Sequence, residues 1–126
     1  MRLLLDTNAL IWTLVSPERL SNTAREAIRT GENMVYVSPV AAWEIGVLRV
    51  KKGLQAPEDI EAEMRERDFE HLPITMKHTL AESSLPRLHE DPFDRFLIAQ
   101  AQVEELTIVT SDRMIRRYPV AVLPAY

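Results

Sequence analysis

The chain has 126 residues, 46% of them hydrophobic and 27% charged, which fits one globular domain and excludes disordered, collagen-like and two-domain readings. It contains no Cys, so disulfides, thiolate metal sites and cysteine nucleophiles fall away together and any metal must be held by oxygen or nitrogen. The net charge is −4, but residues 58 to 70 contribute −5 through seven acids set against Arg65 and Arg67; the acid excess is local, and nucleic acid stays open as a partner.

Met1 to Leu5 reads as a short strand because Leu3, Leu4 and Leu5 form the unbroken apolar run of a strand covered on both faces. The opening stretch carries Asp6 and Asn8 and shows neither a cleavage pattern nor an apolar span of about 20 residues, so the expectation is a cytoplasmic protein with no membrane segment. An apolar helical segment follows from Asn8 to Val15, and Ser16-Pro17 then supplies a cap and a first helical position. Ser21 to Thr30 reads as a helix with Ala24, Ala27 and Ile28 inside, stopped by Gly31.

Met34 to Val37 is the second strand, and Ser38-Pro39 marks its crossing into a helix. The spacing of Val40, Trp43, Val47 and Val50 predicts an inward face widened by Ile45 and Leu48, ending near Gly53. Pro57 is expected to start a further helix, with Ile60 and Met64 beneath the acidic run. Around Leu72 and Ile74 a third strand is expected, kept to an edge by Pro73. Thr75 caps a helix from Met76 to Ser83, and Asp91-Pro92 opens the most apolar helix, with Phe93, Phe96, Leu97, Ile98, Ala99 and Ala101 on one broad side. Leu106 to Val109 is a strand, residues 113 to 117 a basic turn, and Val120 to Leu123 a last strand. Short strands alternating with helices imply an α/β sandwich with a mainly parallel sheet, whose ligands meet the C-terminal strand ends.

Asp6 and Asp112 stand just past two of those strands, while Glu44 interrupts an apolar helix and Asp94 follows the Asp91 cap by three residues. Taken singly, each has an ordinary reading as a cap, turn or surface acid. Together they form an oxygen donor set suited to Mg2+ or Mn2+, which offsets the repulsion among crowded carboxylates. Such ions activate water and stabilise charge on a phosphodiester. Thr110 and Ser111 add hydroxyls beside Asp112, and Asn8 adds an amide suited to orienting Asp6.

The blocks LLLDTNALIW (3 to 12), VSPVAAWEI (37 to 45), HEDPFDRFLIAQA (89 to 101) and TIVTSD (107 to 112) span nearly the whole chain and each contains one of these acids. In that order they resemble the PIN-domain nucleases, and more closely the VapC-like toxins of bacterial toxin–antitoxin pairs. The resemblance implies one PIN-like nuclease domain over residues 1 to 126, folded as a three-layer α/β/α sandwich. It maps the family's metal-holding acidic site onto Asp6, Glu44, Asp94 and Asp112, its amide onto Asn8 and its hydroxyl onto Thr110, with Asp91 a cap first and a ligand second. It further implies an endoribonuclease that uses Mg2+ or Mn2+ and leaves 5′-phosphate and 3′-hydroxyl ends, with a homodimer and a cognate antitoxin as partners. One departure is Ala41, where relatives often carry a hydroxyl.

Arg95 is suited either to steady a phosphate or to pair with a neighbouring acid, and the basic clusters Arg113/Arg116/Arg117 and Arg49/Lys51/Lys52 are candidate contacts for an RNA backbone. Trp12 and Trp43 are expected in core or interface packing, and His71, His78 and His89 lack a zinc-ligand spacing and are assigned ordinary surface, capping or packing roles. Leu10, Ile11, Trp12, Leu14 and Val15 are expected to leave an apolar patch for a second copy or a peptide inhibitor. Two competing functions stay open: a metal phosphohydrolase acting on DNA, and a non-catalytic nucleic-acid- or antitoxin-binding protein.

Overall fold

A computed structural model describes residues 1–126. Its five strands, β1 Arg2–Leu5, β2 Met34–Val37, β3 Glu70–His71, β4 Thr107–Thr110 and β5 Val122–Pro124, form one sheet in the order β3-β2-β1-β4-β5. Every pairing is parallel, so each return of the chain needs a crossover. The helices α1 Thr7–Val15, α2 Asn22–Arg29, α3 Pro39–Lys52, α4 Ile60–Glu66, α5 Met76–Ser83 and α6 Pro92–Glu104 lie in those crossovers. The result is the expected three-layer α/β/α sandwich, with all strand C-termini on one side.

The triple leucine works as the sequence predicts. Leu3 and Leu5 point into one core with α1, α2 and α3, Leu4 points into the other with α6, and all three are fully buried. Burial of each stabilises the fold by about 1.5–3 kcal/mol. Because β1 is flanked by β2 and β4, the residue that follows Leu5 emerges at the middle of the sheet edge.

Helix starts follow the polar residues read as caps. The side chains of Asp6, Ser21, Ser38, Thr75 and Asp91 each accept from a backbone N–H in the first turn, and Gly53 closes α3 in the left-handed conformation with φ of 64°. Four expectations need correction. The fourth helix starts after an Asp59 cap rather than at Pro57, because Asp59 supplies the acceptor for Ala62 N–H. The edge strand occupies Glu70–His71 instead of Leu72 and Ile74, since Pro73 has no N–H to continue the ladder. Trp43 and Val50 are 66% and 87% exposed: α3 is apolar on more than one face, and the side that meets the sheet is Val40, Ala41 and Ile45. Leu10 and Ile11 belong to the core, so the apolar surface of α1 shrinks to exposed Val15 and half-buried Trp12 and Leu14.

Candidate active site

Asp6 is the first side chain past β1 and caps α1, its Oδ1 accepting from Ala9 N–H at 2.8 Å. Its own N–H donates to Val109 O at 3.2 Å, which ties it to the end of β4, beside Thr110. Burial raises its pKa from 3.8 to about 6, against the opposing help of the Thr110 hydroxyl and Ala9 N–H, and the nearby charges of Asp112 and Glu44 push the same way as burial. Glu44 enters from α3, and Thr7 Oγ1 donates to its Oε1 at 2.5 Å. Burial also raises Glu44, with Thr7 opposing and Asp91 adding repulsion.

Asp94 comes from the first turn of α6, where Asp91 Oδ1 accepts from Phe93 and Asp94 N–H at 2.9 and 3.3 Å. Burial and then the Asp91 charge drive Asp94 up to about 9, helped by a hydrogen bond with Asp112. Asp112 follows β4, held by its N–H donating to Thr110 Oγ1 at 3.0 Å and by its Oδ1 accepting from Met114 N–H at 2.8 Å. Burial would raise it, but hydrogen bonds from the His89 ring and Met114 N–H, and the Asp94 carboxyl, more than offset this and hold it below the usual carboxylate range.

The acids Asp6, Glu44, Asp91, Asp94 and Asp112 line one cavity of about 310 Å3 together with Thr7, Asn8, Trp12, Ser111, Ala125 and Tyr126. Four separate crossovers therefore deliver carboxylates to the C-terminal edge of the sheet, as expected for a doubly covered parallel sheet. Asp91 both caps α6 and faces the cavity. Asn8 stands exposed at the mouth, and the hydrogen bonds of Asp6 come from Ala9 N–H and the Thr110 hydroxyl rather than from the Asn8 amide. Ser111 lines the wall and its Oγ accepts from Tyr126 N–H at 2.9 Å, while Thr110 lies fully buried behind it. Ala41 is buried in the core and is no part of the wall.

The readings of Arg95, His89 and Arg49 change here. Arg95 is 3% exposed and turns away from the cavity. Its Nε donates to Glu82 Oε2 at 2.9 Å, and its terminal nitrogens donate to the carbonyls of Glu82, Leu85, Pro86 and His89, so the acid-pairing role holds and the phosphate role does not. His89, read as an ordinary histidine, stands between two site acids: its Nε2 lies 3.0 Å from Asp94 Oδ2 and 2.9 Å from Asp112 Oδ2. One ligand atom each from His89, Asp94 and Asp112 falls within 4.8 Å of the others, a candidate metal-holding group. No pattern within the chain marks it, because Asp112 is brought to it only by tertiary folding; the signal available was the HEDPFDR block that begins at His89. Arg49 is also engaged, donating to the carbonyls of Ala56 and Pro57, whereas Arg113, Arg116 and Arg117 remain exposed.

The PIN-domain family profile matches residues 3–121. The chain belongs to the PIN-domain family. This PIN domain is similar over 98% of its length to VapBC2 from Rickettsia felis, solved with a DNA fragment from their promoter, at 19% identity and a TM-score of 0.73 with 98% of that chain covered. It is likewise similar over 98% of its length to DNA-bound VapBC from Salmonella typhimurium, at 21% identity and a TM-score of 0.72 with 97% of that chain covered. A toxin–antitoxin complex from Klebsiella pneumoniae matches 98% of the PIN domain and 97% of its own chain at 20% identity and a TM-score of 0.66. These likenesses establish the fold. Comparison with curated proteins finds no significant match, and no helix is long and apolar enough to cross a membrane.

Proposed function

We propose that this PIN domain is a divalent-cation-dependent endoribonuclease acting as the toxin of a toxin–antitoxin pair. The observation that carries the reading is the convergence of Asp6, Glu44, Asp94 and Asp112, from separate elements, on one cavity in which burial disfavours the charge on Asp6, Glu44 and Asp94. Such crowding suits a hard divalent cation, because the cavity acids offer carboxylate oxygens and no thiolate. Asp6, Glu44, Asp94 and Asp112 would hold Mg2+ or Mn2+. When bound, the ion supplies Lewis-acid polarisation of a phosphoryl oxygen and activation of water.

The remaining tasks fall to the chain itself. Thr110 braces Asp112 through its backbone N–H, and Asn8 and Ser111 face the cavity with groups that can hydrogen-bond a phosphate or sugar oxygen. Arg113, Arg116 and Arg117, exposed just past Asp112, supply salt-sensitive contacts to flanking phosphates. A groove bounded by Ile11, Val15, Leu48 and Leu54 shares Asn8 and Trp12 with the cavity, a path along which an antitoxin peptide would bring a cationic side chain to the acids. The exposed Trp43, edge-on to Phe93 with ring centroids 5.0 Å apart, sits with Val47 and Val50 on a separate apolar face of α3 that suits a homodimer.

Cleavage assays on RNA and DNA with Mg2+ or Mn2+ test the reading. The expected result is cation-dependent cutting of RNA with 5′-phosphate ends, lost in Asp6→Asn and Asp94→Asn while both variants stay folded. Equal cutting by all three proteins, or cutting confined to DNA, overturns it.

A further inference from the structure

We propose that His89 is a positioning residue for the acidic cavity, a fixed donor that sets Asp94 and Asp112 side by side; the inference rests on reading the cavity as a cation site. Asp91 N–H donates to His89 Nδ1 at 3.2 Å, which requires a lone pair on Nδ1 and therefore leaves the ring hydrogen on Nε2. That single N–H is aimed at Oδ2 of Asp94 and Oδ2 of Asp112, 3.0 and 2.9 Å away. A nitrogen carrying its hydrogen has no lone pair to give a cation. The ring also stays out of the cavity wall, so His89 acts through the two carboxylates it holds and is not itself a ligand.

The segment that carries the ring is stapled. Tyr118 Oη accepts from His89 N–H at 2.8 Å and from Leu88 N–H at 3.1 Å, and donates to Pro86 O at 2.7 Å. Those bonds use the hydroxyl's one donor and both of its acceptor positions, and Arg95 Nη1 approaches the same oxygen at 3.4 Å. Arg95 adds a bond from Nη1 to His89 O at 3.3 Å, and because Arg95 directly follows Asp94, the turn of α6 that presents Asp94 also fixes the backbone of the residue that orients it. Partners of this kind typically change metal affinity or activity by about 10–100-fold when removed.

Two substitutions separate the two nitrogens. His89→Gln places an amide donor where Nε2 stands and drops the acceptor for Asp91; His89→Asn keeps an acceptor near Nδ1 and drops the donor to the acids. Calorimetric Mn2+ binding should weaken about 10–100-fold in His89→Asn and stay within about threefold of wild type in His89→Gln. Tyr118→Phe, folded by circular dichroism, should weaken binding by an intermediate factor. In the metal-free protein, long-range 1H–15N spectra should show His89 with its hydrogen on Nε2, and Mn2+-loaded protein should show no directly coordinated imidazole nitrogen by pulsed EPR. An Nδ1-protonated ring, a directly bound nitrogen, or wild-type affinity in His89→Asn overturns the role of His89 alone. Rescue by His89→Asn with failure of His89→Gln does the same, assigning the ring to loop shape. Absence of Mn2+ binding by the wild-type protein overturns the cation-site reading and this inference with it.

Discussion

Asp6→Asn should make the metal-free protein more stable at neutral pH. Folding moves the Asp6 carboxyl from 3.8 to about 6, so the folded state holds this proton more tightly than the unfolded chain does. Stability from the group is therefore full below the unfolded value and is lost as pH rises through about 6. The gap corresponds to about 3 kcal/mol at pH 7.5, falling to about 0.5 kcal/mol at pH 4. Asn caps a helix as well as Asp does, and its carbonyl can still accept from Ala9 N–H, so most of the relief survives the substitution. At roughly 3 °C per kcal/mol for a chain of this size, the gain in Tm is about 6–9 °C at pH 7.5. Calorimetric melting in chelator at the two pH values measures it. A variant no more stable than wild type at pH 7.5, or one equally stabilised at both pH values, would refute the reasoning that Asp6 is a desolvated carboxylate strained by folding.

Three further outcomes follow from the same geometry. Since Asp94 is raised to about 9, Mn2+ binding at pH 7 should expel about one proton per ion from this carboxyl, and apparent affinity should increase as pH rises from 6 towards 9; titrations in buffers of different ionisation enthalpy read the proton count, and a count of zero contradicts it. Arg95→Met removes a buried guanidinium and takes the donor from the Glu82 carboxylate and from the carbonyls of Leu85 and His89, so urea unfolding should show a loss of about 3–5 kcal/mol; wild-type stability would contradict this structural role for Arg95. Trp43→Ser should cost little stability because the ring is largely exposed, while shifting sedimentation of the proposed dimer towards the monomer; an unchanged sedimentation coefficient would contradict the proposed dimer face.

The residues that announce local structure were readable along the chain. Three leucines in a row define a doubly covered strand, and Ser38-Pro39 and Asp91-Pro92 announce helix starts because a side-chain acceptor and a fixed φ act within one turn. Asp6 and Asp112 were readable from their place past strand ends, whereas Glu44, inside an apolar helix, and Asp94, three residues past a cap, were joined to them by the ordered blocks that resemble the PIN-domain nucleases. Direction was harder. Helix α3 carries Trp43, Val47 and Val50 as well as Val40 and Ile45, so periodicity alone does not say which apolar side meets the sheet. Arg95 lies next to a cavity residue in sequence, yet the helical turn rotates it into the opposite environment. His89 was the least legible, because its role depends on Asp112 and Tyr118, both distant in sequence, and on which ring nitrogen Asp91 N–H engages.

The most direct measurement is anomalous diffraction from crystals grown with Mn2+. Scattering centred in the cavity, with carboxylate oxygens of Asp6, Glu44, Asp94 and Asp112 around it, is the predicted result. Crystals that show Mn2+ bound elsewhere, with the cavity carboxylates keeping one another and His89 as their only partners, would contradict it.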